Sequence, residues 1–96
     1  VRLNYLTAAE EAALIRARFP KVTRDAAIQL AKVAEVLRLA EQKETLSVSL
    51  STRQVLDAAA YIPLGYRLDE VIERVILTNY VITGEETVAR SLIQTL

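Results

Sequence analysis

Apolar residues recur along most of this chain at intervals of three and four, the spacing of one face of a helix. The pattern breaks at prolines, glycines or short hydroxyl-led runs. Thr7-Ala8-Ala9-Glu10 is a capping box, in which the hydroxyl and the acid three residues on each satisfy a backbone amide. It predicts a first helix over about 8–18. Glu10 and Glu11 fall in its first turn and Arg16 and Arg18 in its last, the charge order a helix dipole favours. Phe19-Pro20 ends it, because the residue before proline is pushed out of the α region. Thr23 caps a longer helix over about 24–42, with Ala27, Leu30, Ala34 and Leu37 on one stripe and Asp25, Gln29, Lys32 and Glu35 roughly opposite. Ile28, Val36 and Leu39 also fall on that far side. A helix apolar on more than one face is buried on both, so a neighbouring domain or subunit is expected to cover Ile28, Val36 and Leu39.

Residues 43–49 read as a loop, and the alternation Leu46-Ser47-Val48-Ser49-Leu50 as extended coil, since one strand without a partner cannot stand alone. Ser51 or Thr52 caps a third helix over about 52–62, and with Ser51 as the cap Gln54 completes a second capping box. Val55, Ala58, Ala59 and Ile62 form its core stripe, and Pro63-Leu64-Gly65 breaks it, with Gly65 suited to a left-handed turn. A fourth helix is expected over about 68–80, with Leu68, Val71, Ile72 and Val75 inward and Asp69, Glu70, Glu73 and Arg74 outward. Thr83-Gly84-Glu85-Glu86 is a further capping signal, opening a short helix over about 85–95 that presents Val88, Leu92 and Ile93. The two glycines and two prolines all lie at helix ends or turns. The expected fold is all-α, a small bundle of four to five helices with short loops.

Ninety-six residues, 52% of them hydrophobic, make one small domain with a modest core. Twelve basic residues balance twelve acidic ones. That balance argues against non-specific nucleic-acid binding and against a polybasic membrane segment. Cysteine and histidine are absent, which removes thiolate chemistry, the commonest general base and the commonest metal ligand. No apolar run reaches the ~18 residues of a membrane span. Gly65 and Gly84 are too far apart for a phosphate-binding glycine loop.

Against that background Arg53 stands out. It sits in the first turn of a helix, where the partial positive charge disfavours a cation, unless both address one anion. The wheel puts it about 160° from Val55, off the core. Two readings are open: a phosphate contact, or an i,i+4 ion pair with Asp57. Other candidates have plainer explanations. Glu10 with Glu11 and Glu85 with Glu86 open helices, where acids are favoured. Tyr5, Tyr61, Tyr66 and Tyr80 are scattered, with no basic interleaving for a stacking platform. Ser47, Ser49 and Ser51 have no general base nearby, and satisfy loop and cap groups instead. No residue is expected to be catalytic in isolation, and no metal site is expected.

The lead-in Val1-Arg2-Leu3-Asn4-Tyr5-Leu6, followed by an acidic helix start, resembles the junction after the ATPase core in MoxR-like AAA+ proteins. The run Leu50-Ser51-Thr52-Arg53-Gln54-Val55-Leu56-Asp57-Ala58-Ala59, then Gly65, then residues 68–76, resembles their C-terminal lid. It is closest to the branch of the CbbQ, NorQ and CobS-type ATPases. The resemblance implies that residues 1–6 lead in from an AAA+ core and that residues 7–96 form a helical lid packed over a nucleotide. It implies that Arg53 is the sensor-2 arginine reaching the terminal phosphates of ATP, with Ser51 and Thr52 as its helix cap. ATP and magnesium would belong to the parent protein. Partners implied are the N-terminal AAA+ core of the same chain, neighbouring subunits of a ring, and a protein with a von Willebrand factor A domain. The parent would be a cytoplasmic, chaperone-like ATPase that remodels or activates a client complex. Two departures accompany the match. Leu6 stands where the family often has proline. The Walker A, Walker B, sensor-1 and arginine-finger residues have no counterpart, so this chain alone is not expected to hydrolyse ATP. The rival reading is a free-standing helical interaction module that binds a partner through Ile28, Val36 and Leu39.

Overall fold

A computed structural model of the chain describes residues 7–48 and 50–95. The lead-in expected at residues 1–6 lies outside the described residues, as does Ser49. The fold is all-helical, and among the described residues there is no strand. Helix α1 is Ala8–Arg18, α2 Arg24–Gln42 and α3 Thr52–Ala59. Helix α4 runs through three geometries, α at Leu68–Val71, π at Ile72–Ile76 and 3₁₀ at Leu77–Tyr80, and α5 is Glu86–Gln94.

The first two helices begin where their caps dictate. The Thr7 hydroxyl accepts the Glu10 amide at 3.2 Å, while the Thr7 amide donates to Glu10 Oε1 at 2.9 Å. Thr23 Oγ1 accepts the Ala26 amide at 3.2 Å. Helix α2 is the centre of the domain. It packs along α1 and also touches α3 and α5. Ala27, Leu30, Ala34 and Leu37 are fully buried, as the stripe predicts, and Ala31, Val33 and Ala40 join them. Burial on more than one face therefore comes first from the domain's own helices. Of the expected outer face, Ile28 and Val36 are half-buried and Leu39 is 48% exposed.

After α2 the chain turns at Lys43 and Glu44 and bends through residues 45–47 rather than running extended as expected, with Leu46 and Leu50 buried and Val48 half-buried. Helix α3 ends at Ala59, earlier than the predicted Ile62. Pro63 draws Ile62–Leu64 into a separate 3₁₀ turn instead, and Gly65, at φ +104°, closes it in the left-handed region. Tyr61 and Tyr66 meet edge to face across this turn, 5.7 Å between centroids.

Helix α4 departs furthest from expectation. Its predicted stripe does pack on the core, with Val71 fully buried and Leu68, Ile72 and Val75 half-buried, but the other fully buried positions are Ile76, Leu77 and Tyr80, which the stripe does not include. The cause is the π turn. The Leu77 amide reaches back five residues to the Ile72 carbonyl, which inserts one residue and rotates everything after it. Side chains satisfy the displaced carbonyls. Thr78 Oγ1 donates to Arg74 O at 2.7 Å, and Asn79 Nδ2 donates to Val75 O and Ile76 O, both at 3.1 Å. A π turn of this kind marks local strain or function more often than chance.

Helix α5 also corrects its expectation. Its N-cap is Glu85, with no side-chain cap bond, and the Thr83 hydroxyl turns back to donate to Tyr80 O and to Glu85 Oε1. Ala89 is its fully buried residue, flanked by half-buried Leu92 and Ile93, while Val88 is 40% exposed. Arg90 pairs with Glu86 on its own helix and with Glu73 on α4.

Candidate functional site

The start of α3 is braced from two sides. Ser51 is its N-cap. Its hydroxyl accepts the Gln54 amide at 3.2 Å, and its amide donates to Gln54 Oε1 at 2.8 Å, so the second predicted capping box is present. Thr52 is the first helical residue. The same Gln54 side chain then donates through Nε2 to Asn79 Oδ1 at 3.1 Å. Asn79 is one of the residues that satisfies the π turn, so α3 is tied at its first turn to the irregular part of α4.

A second brace comes from beneath. Arg38 Nε donates to the Leu50 carbonyl at 2.6 Å, one residue ahead of the N-cap. The two other guanidinium nitrogens grip Glu11 in a bidentate pair at 2.7 and 2.8 Å. Both side chains are buried, at 5% and 1% exposure. A paired charge in the interior needs such geometry to offset its desolvation. Together α1, α2 and α4 fix where α3 begins.

Arg53 projects from this mount. It is exposed, and among the described residues its side chain makes no hydrogen bond or ion pair. The i,i+4 pair with Asp57 that spacing allowed is not formed. The amides of Thr52 and Arg53, the first two of the helix, have no acceptor among the described residues, as expected of helix amides that a cap does not reach. Two amides without an acceptor among the described residues, the positive end of a helix and an exposed cation thus lie at one place. That combination suits an anion with several oxygens.

The other sequence candidates resolve as structural. Glu10 completes the capping box of Thr7, Glu11 is the buried partner of Arg38, and Glu86 pairs with Arg90. Glu85 ties the loop to α5. Its carboxylate accepts from the Ser47 amide at 3.1 Å, from Ser47 Oγ at 2.8 Å and from Thr83 Oγ1 at 3.0 Å. These bonds, led by that of the Ser47 amide, hold the Glu85 carboxyl below the usual range. Tyr80 is fully buried, and among the described residues its hydroxyl has no hydrogen-bond partner. Burial first, and then the Glu85 carboxylate, push its pKa up to about 12. Among the described residues no group of three or more acidic, histidine or cysteine side chains is placed to hold a metal ion, and no helix is long and apolar enough to cross a membrane.

Sequence reasoning missed Arg38, Glu11 and Asn79. A signal for the first two was present. Arg38 lies one turn beyond Ala34 on the buried stripe of α2, and Glu11 one turn before Ile15 on that of α1. A lone charge on a core stripe implies a buried partner, though not which one.

Comparison with known proteins extends across residues 10–96, nearly the whole chain. It defines the class as the C-terminal region of an AAA+ ATPase of the MoxR-like group. Within that class the chain belongs to the CbbQ/NirQ/NorQ C-terminal family, whose model matches those residues. The curated proteins and the solved structures compared with it contain no match.

Proposed function

We propose that this domain is the lid of an AAA+ ATPase and that Arg53 is its sensor-2 residue, supplying a cation to the terminal phosphates of ATP. The nucleotide and its magnesium ion are held chiefly by the N-terminal AAA+ core of the same chain, and the lid closes over them. The observation that carries this reading is the exposed Arg53, whose side chain has no partner among the described residues, on a braced helix start whose first two amides likewise find no acceptor among them. A cation left without a partner at the positive end of a helix is unfavourable alone and favourable once a phosphate arrives. Negative charge develops on the phosphoryl oxygens during transfer, and a fixed cation stabilises that state. The bracing supports the same reading, because an electrostatic contact of this kind acts through position.

The wider role is part of the same proposal. The parent is a ring-forming, cytoplasmic ATPase in which nucleotide state moves lid against core, and the movement remodels or activates a client complex. A protein carrying a von Willebrand factor A domain is its expected accessory. Two bodies joined by a nucleotide contact give such a switch a simple form: ATP favours the closed arrangement, and its loss favours the open one.

The test is Arg53→Ala in the intact ATPase. A charge-assisted hydrogen bond is worth about 1.5–3 kcal/mol, so ATP affinity or turnover should fall by about 10- to 150-fold. The folding stability of the domain should stay within about 0.5 kcal/mol of wild type, because Arg53 is exposed and unpaired. Unchanged affinity and turnover would sink the assignment. Loss of folding would show that Arg53 serves the structure instead.

A further inference from the structure

A groove of ≈ 420 Å³ runs between α1 and the first half of α2, away from any contact described above. Its floor is apolar, made by Ala9, Ala12 and Ala13 of α1 and by Ile28 of α2. The charged residues that line it are Arg16, Arg24 and Lys32, all basic. All three are exposed, and among the described residues none has an ion pair or hydrogen bond through its side chain. No carboxylate lines the groove, although the chain as a whole carries no net charge. The basic rim is thus a local feature.

We infer that this groove docks an acidic amphipathic helix of a partner protein. The alanine positions fall three and four apart, as on one helix face. With only methyl groups there, a second helix can lay its apolar ridge close against α1 and α2. From Ala9 to Arg16 the wall is about 10 Å long, enough for roughly two turns of a partner helix. Carboxylates flanking that ridge would meet the three free cations. Charge complementarity of this sort governs encounter and register more than raw affinity. A nucleic acid is a poorer fit. It would find three cations, too few for a phosphate track, and would leave the methyl floor against polar backbone. The inference stands independently of the role given to Arg53.

The test uses the intact ATPase and a labelled, helix-stapled peptide of about 14 residues, with leucines at i, i+4 and i+7 flanked by glutamates. Binding is read by fluorescence anisotropy. The peptide should bind saturably, and a version with lysines for the glutamates should not. Arg16→Glu with Lys32→Glu should weaken the acidic peptide at least about tenfold and gain binding of the lysine version. Ala13→Trp, which fills the groove without changing charge, should also weaken the acidic peptide. Circular dichroism of each variant checks that the fold is kept. Unaltered binding in both variants would overturn the proposal. So would binding lost on charge reversal but kept in Ala13→Trp, which would mean a diffuse basic surface. Loss of ring assembly in Ala13→Trp would mean that the chain's own assembly covers this face, and would overturn it as well. Duplex RNA or anionic vesicles binding here in preference to the peptide would do the same.

Discussion

Replacing Glu11 by alanine removes one partner from a buried ion pair and leaves Arg38 charged in the interior. Glu11 and Arg38 are 1% and 5% exposed, and their bond is bidentate at 2.7 and 2.8 Å. Breaking such a pair from one side costs about 3–5 kcal/mol. At roughly 0.05–0.15 kcal/mol per residue, the 96-residue domain has only about 5–14 kcal/mol in total. The single variant should therefore be near its unfolding limit. Glu11→Leu with Arg38→Met removes both charges and refills the space, which is often neutral or better. It still orphans the Leu50 carbonyl that Arg38 Nε held at 2.6 Å, a loss of about 1–3 kcal/mol. The double variant should thus recover most of the loss, and the two single effects should be strongly non-additive. Urea unfolding of Glu11→Ala, and of Glu11→Leu, Arg38→Met and their double, followed by far-ultraviolet circular dichroism, measures the cost and the cycle. A cost under about 1 kcal/mol for Glu11→Ala, or additive effects, would refute the reasoning, because exposed pairs behave that way. In the intact ATPase, the folded double variant should also lose turnover, since the α3 mount has lost its Arg38 brace.

Two further outcomes follow from the buried and tethered groups. Tyr80→Phe removes a buried hydroxyl with no partner among the described residues and should be neutral or stabilising, by up to about 2 kcal/mol; a clear loss in thermal unfolding would mean that the hydroxyl is satisfied in solution. Glu85 has its carboxyl held below its ordinary value of 4.5, chiefly by the Ser47 bonds, so the stability it contributes is complete above that value and is lost as pH falls through the lower, folded-state value. Glu85→Gln should flatten this acid-side decline in a pH series of urea midpoints, and an unchanged profile would count against the tether.

Much of the local structure was legible because its causes are local. A capping box spans three residues and completes itself without tertiary help. Thr7 with Glu10 and Ser51 with Gln54 therefore marked two helix starts correctly, and Thr23 a third. Thr83 failed as a cap because two closer partners, Tyr80 O and Glu85, claim its hydroxyl. The exposed setting of Arg53 was also legible, since an apolar stripe of two turns fixes which face of a short helix is left over. Family membership came from the same residues read in order.

By itself, then, the sequence determined an all-helical chain, most of its helix starts, the inward stripe of α2 and the outward place of Arg53. The tertiary structure decided the rest. The π turn of α4 depends on Asn79 and Thr78 meeting displaced carbonyls while Asn79 also meets Gln54, and no periodicity encodes an inserted residue. Ala89 rather than Val88 meets the core because the packing of α5 on α2 and α4 sets its rotation, and adjacent positions face different ways. The bracing of α3 rests on Glu11, Arg38 and Leu50, and that of the loop on Glu85 and Ser47, pairs 27, 12 and 38 residues apart. Such partners are chosen by which surfaces meet after the helices pack, so each lone charge in the sequence announced only that a partner must exist.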